Sequence, residues 1–330
     1  MAVAPDGETA AIVGGDPDQL TWVSLPSGRI EGTAILPMAP TAVAFSATGN
    51  WVVVAFGDCG PGPEPCADAS SVDVFSTGAS TGVEVTTGAG SAELAAVPGG
   101  DDVLVGADGA GTVSEIDAAT GKTVQVLDVG TGIISGIAVQ SSGLLAAVSN
   151  ETAGETTLFD LATGANQGAA RVTMEPGQPL VAMGQLLVGQ VDGENVFALG
   201  TVHPSLVGGL SMASGVSAML YLPALGQLVV ACAWLQEVVS APGLGEPVNR
   251  MPIGTLSRGD TSALVSANSG QEALAIAAHG LAVLGGQPLR ILQVLKPDAL
   301  GGAPTSLAAA NGSLALVYAG GHVDIVAVRS

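Results

Sequence analysis

Few side chains in this chain could act as nucleophiles or soft metal ligands, since its 330 residues include three cysteines and three histidines. Cys59 and Cys66 bracket the stretch GPGPEP, whose prolines could hold the two thiols within reach of a disulfide. Such a bond would indicate an oxidising compartment. Two free thiols in a cytosolic loop, or half of a metal site, are the alternative interpretations.

The histidines do not predict a metal site. His279 and His322 occupy equivalent places in neighbouring repeats of the chain, described below. Adjacent sheets lie about 10 Å apart, whereas the ligands of a zinc ion lie about 2 Å from it. No third ligand completes a set, and His203 has no visible partner. We therefore predict no metal site and expect exposed turn residues at His279 and His322.

The acidic turns GDPDQ (15–19) and GADGAGT (106–112) each offer at most two carboxylates. A dedicated calcium site takes about six or more oxygen ligands, so we predict ordinary turns at both places. Trp22, Trp51 and Trp234 fall within predicted strands and are expected to pack in the core or between sheets.

A catalytic centre is not indicated either. The strand-to-helix turn that presents a nucleophile in a GxSxG motif is not expected in a chain of strands. The predicted innermost strands are apolar, and Glu93 is their one charged residue. We predict no catalytic residues, no cofactor and no cofactor-binding residues.

The charge balance argues against anionic partners. Eight Lys and Arg residues stand against 29 Asp and Glu residues, for a net charge of −21, and nucleic-acid binding depends on cations that neutralise phosphates. The uncharged span Pro204–Gln236 is long enough to cross a bilayer. Glycine and proline divide it into pieces of strand length, so no membrane span is expected. No signal peptide is visible in the first ten residues.

An internal repeat organises the whole chain. An apolar run, a glycine turn and a second apolar run recur about every forty-two residues, with one insertion. The turn glycines are Gly7, Gly49, Gly100, Gly143, Gly184, Gly226, Gly270 and Gly312. The phrases IDAATGK (116–122) and FDLATGA (159–165) mark the turn between the third and fourth strands of a repeat. There Asp117 and Thr120 are predicted to bond their own turn, and Gly121 to supply a positive φ.

A four-stranded unit of about forty residues predicts the blade of a β-propeller, because one small sheet buries both faces when neighbours stack on it. We predict an all-β, eight-bladed propeller of antiparallel blades, with seven blades as the alternative, in a single domain over residues 1–330. The last blade has three or four strands. The predicted blades span approximately 1–39, 40–90, 91–132, 133–177, 178–214, 215–258, 259–302 and 303–330.

The motifs VAPDG (3–7) and IDAATGKTVQVLDVGTG (116–132) resemble the blades of YVTN-repeat propellers, and the repeat pattern of the chain is similar to YVTN-repeat and WD-repeat propellers. The Gly-His and Trp-Asp dipeptides of true WD repeats are absent. Propellers of this kind serve as scaffolds, ligand receptors and enzymes, so the resemblance implies a fold and leaves the function open. The first repeat begins late and the last lacks a fourth strand. An upstream segment with a closing strand and a targeting signal is therefore one expectation, and a three-stranded last blade is the other.

The longest insertion suggests where function lies, since loops often carry it. We predict a non-catalytic protein-binding or scaffold propeller, a subunit or accessory of a larger assembly, located in the periplasm or secreted. The alternatives are a lactonase-like or quinoprotein-like propeller that binds a small molecule at its central channel, and a cytoplasmic location. The predicted interaction face contains Pro61, Pro63, Glu64, Pro65, His279 and His322.

Overall fold

The structure is a computed structural model of the chain, which forms two compact units. The first comprises Met1–Gly177 and Thr201–Ser205, and the second comprises Gln178–Gly200 and Leu206–Ser330. The described residues contain strands and turns and no helix. They are residues 1–56, 70–171, 180–183, 186–191, 195–200, 206–211, 216–222, 224–232, 237–241, 249–252, 264–267, 271–277, 280–287, 289–295, 304–310, 313–318 and 323–327.

The first unit contains sheets 1 to 4, each made of four consecutive antiparallel strands. In chain order the strands are β1 (Ala2–Val3), β2 (Thr9–Gly14), β3 (Gln19–Ser24) and β4 (Ile30–Ile35) in sheet 1; β5 (Pro40–Phe45), β6 (Trp51–Phe56), β7 (Ser71–Ser76) and β8 (Val83–Thr86) in sheet 2; β9 (Ser91–Ala96), β10 (Asp102–Ala107), β11 (Thr112–Asp117) and β12 (Lys122–Asp128) in sheet 3; and β13 (Ile134–Val139), β14 (Leu145–Asn150), β15 (Glu155–Asp160) and β16 (Ala165–Arg171) in sheet 4.

The second unit repeats this pattern in sheets 5 to 8, of which sheet 8 has three strands within the described residues. The strands are β17 (Leu180–Met183), β18 (Leu186–Val191), β19 (Asn195–Gly200) and β20 (Leu206–Ser211) in sheet 5; β21 (Val216–Leu222), β22 (Gln227–Cys232), β23 (Glu237–Ala241) and β24 (Asn249–Pro252) in sheet 6; β25 (Leu264–Ala267), β26 (Glu272–Ala277), β27 (Gly280–Gly285) and β28 (Arg290–Leu295) in sheet 7; and β29 (Pro304–Ala310), β30 (Ser313–Tyr318) and β31 (Val323–Ala327) in sheet 8.

The all-β architecture and the four-stranded antiparallel unit predicted from the sequence are confirmed. Each of the eight sequence repeats corresponds to one sheet of the described chain. The number of blades in one ring, eight, stays a prediction. Strands β20, β21 and β22 occupy the uncharged span that a hydropathy argument could mistake for a membrane helix. Across the described residues, no helix has the length and apolar character needed to span a membrane.

The second strands β6, β10 and β14 are buried on both faces, which explains the apolar sequence of their middle residues. In β6, Val52, Val54 and Phe56 pack in the core between sheets 1 and 2, whereas Val53 and Ala55 pack in the core between sheets 2 and 3. All five are at most 2% exposed. Burying apolar surface contributes about 25 cal/mol per Å², so a sheet of this sequence is stable with neighbours on both sides.

Trp22 on β3 joins sheet 1 to sheet 2. Its ring is fully buried and meets Phe45 edge to face, with the ring centroids 6.3 Å apart. Its indole N–H donates to the Ala79 carbonyl oxygen at 2.9 Å, so the polar atom of this buried ring has a partner. The prediction that Trp22 packs in the core between sheets is confirmed.

The fourth strands of the first unit lie at the edge of their sheets and are mostly exposed. Each fourth strand of the first unit buries one apolar residue near its C-terminal end, namely Ala34, Val85, Leu127 or Ala170. The ladders β3–β4, β11–β12 and β15–β16 each contain a register shift near the start of the fourth strand. Such a bulge twists an edge strand and hinders its pairing with another chain.

The turns between third and fourth strands fold as the repeated phrase predicts. Asp117 Oδ1 accepts hydrogen bonds from the amides of Ala119 and Thr120 at 2.9 and 3.2 Å, and Asp117 Oδ2 accepts from the Thr120 hydroxyl at 2.7 Å. In sheet 4, Asp160 Oδ1 accepts from the amide and hydroxyl of Thr163, each at 3.0 Å. The Thr120 hydroxyl, followed by the backbone amides, holds the pKa of Asp117 below its usual range.

The glycine of this turn allows sheet 3 to approach sheet 4. Gly164 has a φ of 69°, and a Cβ at this position would lie 2.5 Å from Gln125 Oε1 on β12. The Gln125 side-chain amide donates to the Leu161 carbonyl oxygen at 2.6 Å and also to the Glu115 carboxylate. The repeated turn therefore joins neighbouring sheets as well as consecutive strands.

We expect Gly164→Ala to lower the free energy of unfolding more than Gly78→Ala. Gly78 occupies the same turn of sheet 2 with a φ of 83°, and a Cβ there meets nothing within 4 Å. Positive φ costs an alanine about 1–2 kcal/mol at either position. At Gly164 the displaced Gln125 adds about 1–2 kcal/mol in lost hydrogen bonds. Urea denaturation measures both variants, and equal losses would contradict the role of Gly164 in the contact between sheets.

Candidate functional site

The residues predicted to form the interaction face lie outside the described residues, so the predicted disulfide and face stay predictions. They are Cys59, Pro61, Pro63, Glu64, Pro65, Cys66, His279 and His322. The strands on either side show which strands these residues connect along the chain. Residues 57–69 connect β6 to β7, residues 278–279 connect β26 to β27, and residues 319–322 connect β30 to β31. Each segment joins a second strand to a third, as predicted from the repeat.

The described part of the first unit shows the corresponding edge of its own sheets, which we call the 2–3 face. This face consists of the turns between second and third strands, the linkers that enter each first strand, and the strand residues that adjoin them. In sheets 3 and 4 the turns are residues 108–111 and 151–154, and the linker is residues 129–133. Antiparallel pairing brings them to one edge, because Ile134 at the start of β13 pairs with Asn150 at the end of β14.

Asp108 connects sheet 3 to sheet 4 at this face. Its carboxylate Oδ1 accepts a hydrogen bond from the Ile134 amide, the first of β13, at 2.9 Å. The Asp108 amide donates to the Gly90 carbonyl oxygen at 3.1 Å. The prediction of an ordinary turn at residues 106–112 missed this contact, because the partner of the carboxylate lies on another sheet.

The linker that enters β13 is held by the backbone and side chains of sheet 4. The Asn150 side-chain amide donates to the Gly130 carbonyl oxygen at 3.1 Å. The Glu151 amide donates to the Ile133 carbonyl oxygen at 2.9 Å, and the Ile133 amide donates to Thr152 Oγ1 at 3.2 Å. Held in this way, the linker presents the Ile133 side chain 37% exposed at the surface.

Glu93 lies on β9 beside the same junction. The Glu93 Cβ and the Ile134 Cγ2 are each 3.2 Å from the position that a Cβ on Gly106 would take. Burial, followed by the charge of Asp108, raises the pKa of Glu93 to about 7. Glu93 thus exchanges its proton near neutral pH. The sequence identified Glu93 as a charged residue among apolar first strands but did not predict a role for it.

Two further carboxyl groups complete this acidic junction. Burial raises the pKa of Asp108, the Ile134 amide opposes that rise, and the charge of Glu151 adds to it. Burial also raises the pKa of Glu151. The Glu151 Oε2 atom is buried and has no hydrogen-bond partner among the described residues. Like charges at a half-buried site disfavour simultaneous ionisation, so the three groups titrate as interacting sites.

The 2–3 face of the first unit contains one basic side chain among its described residues, Arg171. Its Nε lies 3.1 Å from Glu155 Oε1. The unit's other described basic side chains, Arg29 and Lys122, lie beside turns between third and fourth strands, at the opposite edge. The carboxylates of the face are Asp16, Asp18, Glu93, Asp108, Asp128, Glu151 and Glu155. Side chains of the face therefore leave most of its negative charge unneutralised.

Within the described ranges, no three His, Cys, Asp or Glu side chains are arranged to hold a metal ion.

We expect Glu93 to make stability fall as pH rises from 4.5, the unperturbed value, to about 7. In this window native Glu93 keeps a proton that the unfolded chain has released. The contribution is about 3 kcal/mol at most, from about 1.4 kcal/mol for each tenfold change in proton affinity. Glu93→Gln should therefore match the wild type near pH 4 and exceed its stability near pH 8.

Chemical denaturation at both pH values measures this difference. Glu8→Gln is the control, because it removes one negative charge from an exposed site. A Glu93→Gln effect of the same size at both pH values would contradict the role of ionisation.

No protein-family model matches the sequence, and no curated protein matches it significantly. Solved structures are similar to the chain. The C-terminal WD40 domain of Sif2 has a TM-score of 0.71 at 10% identity, over 100% of this chain and 95% of that one. The β-propeller domain of Cps50 (Swd1) from Myceliophteria thermophila has a TM-score of 0.62 at 12% identity, and the match covers 89% of this chain and 99% of that one. Dihydro-heme d1 dehydrogenase NirN in complex with DHE has a TM-score of 0.70 at 13% identity, and the match covers 89% of this chain and 65% of that one.

At these identities the likeness concerns the fold. WD40 domains and a dehydrogenase share it, so it does not select between a scaffold and an enzyme. Four-stranded antiparallel sheets, stacked through second strands that are buried on both faces, agree with these structures. The chain is a β-propeller, similar in fold to the WD40 propellers.

Proposed function

We propose that this propeller is a non-catalytic protein-binding or scaffold subunit that contacts a basic partner protein through the 2–3 face. The observation that carries the proposal is the unneutralised negative charge of that face, whose one described basic side chain is paired with Glu155. Complementary charge speeds encounter and favours the correct partner. A basic protein surface has the complementary charge, whereas nucleic acid and anionic lipid are repelled.

Exposed apolar side chains on the same face support a protein partner. Met38 is 43% exposed and Ile133 is 37% exposed, and both lie in linkers that enter a first strand. Protein interfaces combine apolar anchors with a polar rim. We propose that the insertion with Pro61, Pro63, Glu64 and Pro65 extends this face, and that His279 and His322 belong to the corresponding turns of the second unit.

We expect a double variant, Asp16→Asn with Asp128→Asn, to weaken partner binding by about tenfold, and added salt to weaken wild-type binding. Asparagine keeps the oxygen of Asp128 that accepts from the Gly130 amide at 3.0 Å. The matched control is Asp6→Asn with Glu8→Gln, which removes two charges from the turn between β1 and β2. Affinity capture from the native source, followed by titration of the captured protein, measures the effect. Equal weakening by both double variants would contradict the assigned face.

A periplasmic or secreted location is proposed together with a Cys59–Cys66 disulfide. We expect native protein to be lighter than the reduced chain by about 2 Da, the mass of two hydrogens lost when the thiols join. Because the closed loop is short, its contribution to stability is about 2–3 kcal/mol at best. Mass spectrometry without reductant measures the bond, and Cys59→Ser should abolish the difference. Two free thiols in protein from the native source would favour the cytoplasmic alternative.

A small-molecule or enzymatic propeller is the second candidate, because Glu93 favours it. A carboxyl group with a pKa of about 7 on a first strand can donate and accept protons near neutral pH. Thermal-shift screening of small molecules separates the two candidates. A ligand that stabilises the wild type and not Glu93→Gln, with no captured protein, would replace the scaffold proposal.

A further inference from the structure

The start of β13 is where sheet 3 and sheet 4 meet at the 2–3 face. The Ile134 side chain is 2% exposed and packs with Leu104 and Phe159 in the core between the two sheets. The Ile134 amide points its hydrogen at the Asp108 carboxylate of sheet 3, at 2.9 Å. The preceding residue, Ile133, is bonded through its backbone to Glu151 and Thr152 of sheet 4. Sheet 4 thus holds Ile133, and Asp108 of sheet 3 holds Ile134, the next residue.

All charged side chains on the described elements around Glu93 are negative. Strand β9 packs against β5, β6, β10 and β13. Strands β5, β6 and β13 have no titratable side chain, and β10 has Asp102 at the end remote from Glu93. The adjoining turns contribute Asp108 and Glu151. Within these described elements, an ionised Glu93 meets no cation that would stabilise its charge.

We propose that Glu93 and Asp108 form a proton-dependent junction between sheets 3 and 4, which holds the linker of the 2–3 face when Glu93 is protonated and loosens it when Glu93 ionises. The proposal goes beyond partner binding and holds whether or not a partner exists.

When Glu93 is protonated, no second negative charge lies beside Asp108. The Asp108 carboxylate then accepts the hydrogen bond from the Ile134 amide. When the Glu93 carboxyl group releases its proton to solvent, a second carboxylate appears beside Asp108 in a half-buried site, and the two repel. The β9 backbone is fixed by its ladder to β10, so the repulsion acts on the Glu93 and Asp108 side chains. On the Asp108 side it weakens the hydrogen bond from the Ile134 amide, which frees the linker that presents Ile133.

Hydrogen exchange of the intact chain tests this junction. The probe is the set of amides at residues 133–137, at about pH 6 and about pH 8, with each rate corrected for intrinsic exchange. We expect their protection in the wild type to fall by about tenfold at the higher pH, relative to amides of β2 and β3 in sheet 1. Glu93→Gln should keep the protection high at both pH values. Asp108→Asn, which keeps an oxygen acceptor and removes the charge, should also lose the pH dependence.

Asp73→Asn is the matched control. Burial, followed by the charge of Glu84, also raises the pKa of Asp73, but Asp73 lies on β7 of sheet 2. This variant should retain the wild-type pH dependence at residues 133–137. Equal protection at both pH values in the wild type, or unchanged pH dependence in Glu93→Gln, would overturn the proposal. Loss of the pH dependence in Asp73→Asn would overturn it as well, because the response would then be global.

Discussion

The burial of both faces of the second strands is the constraint on which the rest of the structure depends. Strands such as β6 and β10 have apolar side chains on both sides, and those of β6 divide between two different cores. One sheet alone would expose one of these faces to water. Stacking of sheets follows, and with it the alignment of the described turns between second and third strands along one edge of the first unit.

Polar contacts join neighbouring sheets of the first unit at both edges of the stack. Trp22 and Gln125 each reach the turn between the third and fourth strands of the following sheet. At the other edge, Asp108 reaches the first residue of β13. Neutral donors form the first two contacts, whereas a carboxylate accepts in the third. A carboxylate also accepts between sheets at the first edge, where Asp101 accepts from the Ser46 and Thr48 hydroxyls. What distinguishes the Asp108 contact is Glu93, whose pKa is raised to about 7 by burial and by the charge of Asp108.

The acidic junction of Glu93, Asp108 and Glu151 is the strongest functional signal in the described residues. A regular scaffold needs no accumulation of acidic groups with raised pKa values, and burying them lowers stability at neutral pH. Structural ion-pair networks can perturb pKa values too, but Arg171 is the one described basic side chain of this edge. The proposed partner binding and the proposed proton exchange depend on the same feature. That feature is negative charge that no basic side chain of the described residues neutralises.

Contacts within a turn could be predicted from the sequence, because their partners are neighbours in the chain. Asp117 and Thr120 bond each other and their own turn as the repeated phrase indicates. The apolar runs and turn glycines likewise predicted the four-stranded unit, the all-β class and the propeller fold. The role of Glu93 could not be predicted, because its pKa depends on burial and on Asp108, which the linear sequence does not place beside it.

The sequence by itself determined the strands, their turns and the need for each sheet to have neighbours, since these depend on side-chain periodicity and on bonds over a few residues. The tertiary structure decided which turn meets which strand. The bond of Trp22 to Ala79 spans 57 residues and that of Asp108 to Ile134 spans 26. Their geometry follows from how closely neighbouring sheets pack, and the proton affinity of Glu93 follows from the burial that this packing imposes.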